Sequence, residues 1–302
     1  MMPRFPELKV LRSAHPGHPK APSTRPVVAG GVTIGGDVPV VIAGPCTVES
    51  REQTLGIARA VRAAGATMLR GGAYKPRTSP YSFQGLGPEG LEILAEARAE
   101  TGLPIVTEVL DPRLVELVGS YADVIQVGSR SMQNFPLLTE VGRYGKPVLL
   151  KRGFGATLEE WLYAAEYVAV GGNMEIIFCE RGIRTFANGA YDRATLDLAG
   201  VHALRRLTPF PVIVDPSHAA GHAGLVPGLA AAALSMGVDG LLIEVVRQGT
   251  DLTLVKCDGE QGIVPDELAS IVARAESETA LRRELLSPVL AGANEKLAGG
   301  DR

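Results

Sequence analysis

The sequence is poor in cysteine, has no large excess of charge of either sign and contains no long apolar run, and each shortage excludes a class of protein. Its three cysteines, Cys46, Cys179 and Cys257, are an odd number in 302 residues, far below the density of a disulfide-stapled secreted domain. A reducing cytoplasm is the expected setting. Lys+Arg 30 against Asp+Glu 33 leaves a formal net charge of −3, so no global basic field draws the chain to nucleic acid or to an anionic membrane. Any anion must be met by a local cluster. No stretch approaches the ~18 consecutive apolar residues of a membrane span, and the N-terminus lacks the basic-then-apolar order of a signal peptide. The run Leu225–Met236, interrupted by Pro227 and Gly228, reads as a buried helix.

With 46% hydrophobic and 21% charged residues, the chain has enough apolar material for one large core. Its length fits two ordinary domains or one α/β barrel of about 250 residues. Residues 1–26 hold six prolines and no sustained period, so they are expected to form a tail or linker remnant. Residues 281–302 are expected to be a C-terminal tail, which leaves 27–280 for the structured body.

Val27–Gly36 reads as a hairpin turning at Gly30-Gly31. Strand-like runs follow at Pro39–Cys46, Ala66–Gly72, Pro104–Val109, Val124–Ser129, Pro147–Gly153, Met174–Gly182, Pro211–His218 and Gly240–Val245. Helical spacing separates them, at Ser50–Ala64, Pro88–Glu100, Pro112–Tyr121, Phe135–Tyr144, Leu158–Val170, Arg193–Leu207 and Leu225–Met236, with Pro265–Ser277 after the last strand. Strand and helix repeated eight times predict an α/β fold of the (β/α)₈ TIM-barrel type, preceded by the short hairpin. A doubly wound open sheet would carry a G-x-G-x-x-G fingerprint after an early strand. Gly71-Gly72-Ala73 lacks that spacing and opens a long loop.

In such a barrel the active site lies at the C-terminal mouth. The strand ends there supply Cys46, Arg70, Glu108, Arg130, Lys151–Arg152, Arg181, His218 and Glu244. Singly, a cysteine is usually a small core hydrophobe and an arginine a solvated rim charge. Eight strand ends that all carry reactive groups make the functional reading the stronger one. Cys46, His218 and Glu244, on strands one, seven and eight of the barrel, suit one divalent Mn, Fe, Co or Zn ion. Asp258 is the best-placed fourth ligand, with Asp251 and Glu260 as rivals. A thiolate in this set predicts sensitivity to oxidation, with Cys257 as a disulfide partner for Cys46. Arg70, Lys75, Arg77, Arg130, Lys151 and Arg181 form a cationic set suited to a phosphate plus a carboxylate. Among them, Glu108 would orient a lysine or hold water.

Several segments resemble one family. These are Ile42-Ala43-Gly44-Pro45-Cys46, the loop Leu69 to Gly85 with Lys75-Pro76-Arg77-Thr78, Gln126 to Asn134, Leu150-Lys151-Arg152-Gly153, Cys179-Glu180-Arg181-Gly182 and Asp215-Pro216-Ser217-His218. Over about residues 27–275 the chain resembles 3-deoxy-D-arabino-heptulosonate 7-phosphate (DAHP) synthase, in the short type I beta branch related to KDO-8-phosphate synthase. The resemblance implies condensation of phosphoenolpyruvate with erythrose 4-phosphate, releasing phosphate, as the first step of the shikimate pathway. It implies Cys46, His218, Glu244 and Asp258 as metal ligands and Lys75, Glu108, Lys151 and His218 as catalytic groups. Arg70, Lys75, Arg130, Lys151 and Arg181 would hold phosphoenolpyruvate, aided by Gly128 and Ser129, while Arg77 and Thr78 would position the aldose phosphate. In the family the metal polarises the aldehyde, C3 of the enol attacks it, and water adds at C2 before phosphate leaves. A homo-oligomer, dimer or tetramer, is expected, and no built-in regulatory module.

Pro76-Arg77-Thr78 favours the four-carbon aldose, because KDO-8-phosphate synthases, which take arabinose 5-phosphate, read Ala-Asn-Arg there. Two other readings compete. One is a Schiff-base aldolase built on Lys151. The other is a barrel kept as a non-catalytic binding partner, which would have shed at least one of these groups.

Overall fold

The structure is a computed structural model that describes residues 8–11, 24–186, 193–257 and 259–279. Much of the expected Pro-rich tail and all of 281–302 lie outside these residues. Two short strands, β1 (Val27–Ala29) and β2 (Val32–Ile34), form an antiparallel hairpin. Its turn needs glycine, since Gly30 sits at φ +54 and a Cβ there would lie 2.5 Å from Pro104.

Eight parallel strands then close into a barrel. They are β3 (Val40–Gly44), β4 (Met68–Arg70), β5 (Ile105–Glu108), β6 (Val124–Val127), β7 (Val148–Lys151), β8 (Ile176–Glu180), β9 (Val212–Val214) and β10 (Gly240–Glu244). Each strand lies inside a segment expected from the sequence, and β10 pairs with β3 to complete the ring. Around it run α1 (Arg51–Ala63), α2 (Pro88–Thr101), α3 (Val115–Tyr121), α4 (Phe135–Tyr144), α5 (Leu158–Val170), α6 (Leu198–Leu207), α7 (Pro216–Ala220), α8 (Val226–Ser235) and α9 (Pro265–Ser277). Local chemistry sets where they start. Ser50 caps α1 by accepting from the Gln53 amide, and Thr157 and Glu160 cap α5 reciprocally.

Successive residues of a strand face opposite sides, and here the two faces build two cores. Val41, Leu69, Ile105, Ile125, Leu150, Phe178 and Ile243 pack outward against the helices. In that layer the Trp161 ring of α5 meets Phe178 edge-on at 5.1 Å, and its indole N–H donates to the Leu150 carbonyl. Val40, Ile42, Met68, Val106, Val124, Leu149, Ile177, Ile213 and Leu242 fill the interior, joined by Val27, Ala29 and Ile34 of the hairpin. The hairpin thus seals the N-terminal end of the barrel. Residues 8–11 lie against the outside, where the amides of Lys9 and Val10 donate to Glu166 and the Thr208 hydroxyl donates to the Val10 carbonyl.

Two boundaries differ from expectation. The segment Pro211–His218 is not one strand: β9 stops at Val214 and α7 follows at once, with Pro216 in its first turn and Asp215 as its cap. The fixed φ of Pro216 starts a helix, and the residue before a proline stays out of the helical region. His218 is therefore a helical residue. Helix α6 begins at Leu198 under an Asp197 cap, five residues later than expected, which leaves Arg193 in the preceding loop.

Candidate active site

Advancing two residues along the interior face of a strand leads from the apolar layer into the mouth. Met68 is followed by Arg70, Val106 by Glu108, Val124 by Gln126, Leu149 by Lys151, Cys179 by Arg181, Ile213 by Asp215 and Leu242 by Glu244. Asp215 and Glu244 lie behind the others, against Lys151 and Arg70; the rest border a cavity of about 300 Å³ whose lining includes Arg70, Lys75, Arg77, Thr78, Glu108, Gln126, Gly128, Ser129, Arg130, Lys151, Phe154, Arg181, Arg193 and His218.

Seven of those residues are lysine or arginine, and the buried ones are held by specific partners. The Arg70 Nη1 donates to Glu244 Oε1 at 2.6 Å. Its Nε is buried and has no acceptor among the described residues, a costly state that an anion in the cavity would relieve. Lys75 donates to the Cys46 carbonyl at 3.2 Å and to its sulfur at 3.3 Å. Burial works against the charge of Lys75, while any thiolate charge at Cys46 or Cys257, and the carboxylate of Glu244, favour it and raise its pKa. The Lys151 Nζ donates to Asp215 Oδ2 at 2.5 Å. Arg77 reaches the Cys257 sulfur at 2.6 Å. Arg130 lies in a 3-10 turn, Ser129–Ser131, just past β6.

Glu108 is the cavity's carboxyl. Burial pushes its pKa up, against the pull of Lys75, Lys151, Arg70 and Arg130. Gln126 donates to its Oε2 at 3.3 Å. Its Oε1 packs on the Gly128 backbone, where a Cβ would come within 1.9 Å of it, so any other residue at 128 would displace the carboxyl.

Arg152 is a correction to the strand-end reading. It lies on the outward face of the sheet, where Nη1 pairs with Glu180 at 2.9 Å and Asp197 at 2.8 Å. It does not line the cavity.

Among the described residues no three His, Cys, Asp or Glu side chains converge closely enough to hold a metal ion, and Asp258 lies outside those residues. The expected ligands are only partly gathered. Neither Cys46 nor Cys257 is in a disulfide; their sulfurs are 3.1 Å apart, and Cys46 also meets Lys75. The Cys257 contact, then burial, then the charge of Glu244 push the Cys46 thiol well above its ordinary pKa, which keeps it neutral. His218 and Glu244 do meet, with Nε2 3.3 Å from Oε1. Burial brings the imidazole pKa down to about 4, against the pull of Asp215. With its Nδ1–H donated to Asp215 at 2.6 Å, the neutral ring turns an Nε2 lone pair toward a carboxylate oxygen. Two acceptors facing each other fit a cation between them.

A profile of the DAHP synthetase I family matches residues 17–282. The chain belongs to that family. A phospho-2-dehydro-3-deoxyheptonate aldolase of Thermotoga maritima is 51% identical over 216 residues, which cover 72% of this chain and 63% of that protein. The chain thus spans less than two thirds of that relative's length. A 2-dehydro-3-deoxyphosphooctonate aldolase of Syntrophotalea carbinolica is 34% identical, with 78% and 90% of the two chains covered. The solved truncated form of 3-deoxy-D-arabino-heptulosonate 7-phosphate synthase from T. maritima has a TM-score of 0.79 at 42% identity, covering 89% of this chain and 94% of that one. No helix among the described residues is long and apolar enough to cross a membrane.

Four residues of this DAHP synthetase I family site carried no role in the sequence reading: Gln126, Phe154, Arg193 and Asp215. Arg193 donates to Gln261, which in turn donates to Glu244. Phe154 has the guanidinium carbons of Arg130, Arg181 and Arg184 at 5.3, 4.8 and 5.0 Å from its ring centroid. One ring thus spaces three like charges. Each cation–π contact contributes about 0.5–2 kcal/mol, so Phe154→Leu should weaken binding of inorganic phosphate about 2- to 30-fold in a calorimetric titration. Unchanged affinity would make the ring a filler.

Proposed function

We propose that the chain condenses phosphoenolpyruvate with erythrose 4-phosphate to give DAHP and inorganic phosphate, as a metal-dependent transferase opening the shikimate pathway of aromatic amino acid biosynthesis. The observation that carries this reading is the convergence of Arg70, Lys75, Arg130, Lys151 and Arg181 around one carboxyl, Glu108, in a single cavity. The names of the T. maritima relatives support it, as does the loop Lys75-Pro76-Arg77-Thr78 at the same mouth.

Phosphoenolpyruvate carries a carboxylate and a phosphate, and the five cations neutralise both while excluding bulk water. Lys151, on the strand, and Lys75, on the loop, approach from different elements, which fixes the plane of the enol. Arg77 and Thr78 hold the phosphate of the aldose, so that its aldehyde carbon faces C3 of the enol. The C3–aldehyde bond forms from the enol π pair, water adds at C2, and the aldehyde oxygen becomes a hydroxyl with the proton that the water gives up. The C2–O bond breaks as the new C2 hydroxyl passes its proton to the departing phosphate and becomes the ketone. Glu108 holds the attacking water among the cations and passes on the proton it gives up. Cys46, His218 and Glu244 would hold a divalent Mn, Fe, Co or Zn ion, with Asp258 as fourth ligand. Bound there, the ion would supply Lewis acidity to the aldehyde oxygen. The setting is cytoplasmic and the assembly a homo-oligomer, dimer or tetramer.

A phosphate-release assay with erythrose 4-phosphate against arabinose 5-phosphate tests this reading. Turnover is expected with the four-carbon aldose, abolished by dialysis against a chelator and restored by a divalent ion. Equal rates with both aldoses would refute the reading of the loop, and full activity after chelation would refute the metal.

A further inference from the structure

Asp215 has no role in the reaction described so far, yet it touches two of its participants. It follows β9 on the interior face and is buried, with 0% exposure. Its Oδ2 accepts from Lys151 Nζ at 2.5 Å and from His218 Nδ1 at 2.6 Å, while Oδ1 accepts from the His218 amide at 2.9 Å. Its own amide donates to the Glu180 carbonyl at 2.7 Å, which fixes the backbone at the end of the strand.

We propose that Asp215 is a positioning residue that joins the two subsites: through one oxygen it holds the Lys151 ammonium at the cavity floor and fixes the ring of His218. This rests on the function proposed above and names the group that ties its anion subsite to its metal subsite. The shorter of the two ring contacts decides the tautomer. An acceptor 2.6 Å from Nδ1 must be met by a proton, so Nε2, 3.3 Å from Glu244, keeps its lone pair for a ligand. Lys151 meets the same oxygen from the other side and has a long flexible stem. Without that oxygen its ammonium loses its fixed position. An amide at 215 could not serve both: with its oxygen kept on the His218 amide as the cap, its NH₂ would face two donors, forcing the ring to turn over and the lysine to withdraw.

Full-length Asp215→Asn should bind Co²⁺ about 10- to 100-fold more weakly without substrate, and inorganic phosphate or phosphoenolpyruvate at least severalfold more weakly without metal. Lys151→Met should lose only the anion, and His218→Ala only the metal. An Asp215→Asn protein that loses one affinity alone, or neither, would overturn the proposal. Should that variant fail to fold, the wild type still decides the matter. With only five histidines in the chain, long-range ¹H–¹⁵N spectra of the metal-free protein resolve the His218 ring, and a proton on Nε2 in place of Nδ1 would overturn it. Wild-type protein that binds the anion but fails to condense it with erythrose 4-phosphate would sink the reaction and leave the role of Asp215 standing.

Discussion

Arg70→Met is expected to lower kcat/KM by about 10²–10³-fold, the usual cost of removing one preorganised donor from a dry site, and to destabilise the fold as well. Arg70 is 3% exposed and its guanidinium pairs with Glu244, which is 2% exposed. Methionine would fill much of the volume but leave a buried carboxylate short of its counter-charge. Breaking one side of a buried pair typically costs 3–5 kcal/mol. The unpartnered Nε would vanish too, and with it the donor left waiting for an anion. Urea unfolding and steady-state kinetics together read both effects. Arg70→Lys should recover part of the stability and little of the activity, because an ammonium replaces the charge but not the fork. Wild-type kinetics in Arg70→Met would remove Arg70 from the site.

Cys46→Ala should remove metal binding and turnover together while leaving the melting temperature within a few degrees of the wild type. The side chain is small and packs at the mouth against Lys75 and Cys257, above the interior apolar layer. A thiolate is the soft member of the expected ligand set, and metal ions bind the deprotonated form. Because burial and the Cys257 contact favour the neutral thiol, metal binding must release a proton, and Co²⁺ affinity should rise with pH in the wild type. Titration with Co²⁺, read by its thiolate charge-transfer absorption, and thermal unfolding separate the two roles. Global unfolding of Cys46→Ala would make the residue structural.

The barrel was legible because alternation of strand and helix is written in hydrophobic period and in punctuation by proline and glycine. The site was legible to the extent that period two was followed through the strand ends. Arg70, Glu108, Lys151, Arg181 and Glu244 all stand an even number of residues beyond an interior apolar side chain. The two residues misplaced at strand ends break that parity. Arg152 follows Lys151 by one and so faces the helices, where Glu180 and Asp197 meet it. His218 stands five beyond Ile213, and a strand that long would have turned it outward. Helix α7 brings it back, and Asp215, two beyond Ile213, is the residue that parity marks. Phe154 and Arg193 lie on loops, where no period exists to reveal them.

The packed interior of the barrel, backed by the hairpin, governs traffic at its mouth. With Met68, Val106, Leu149, Ile213 and Leu242 packed beneath the mouth and Val27, Ala29 and Ile34 below them, the cavity is a cul-de-sac, and every molecule that enters must leave by the same doorway. The strand-end groups Arg70 and Lys151 lie at the back of that room, while Arg77 and Thr78 stand on the loop at its threshold. On the proposed function, the enol phosphate must be seated before the aldose phosphate arrives, since the second guest blocks the way of the first.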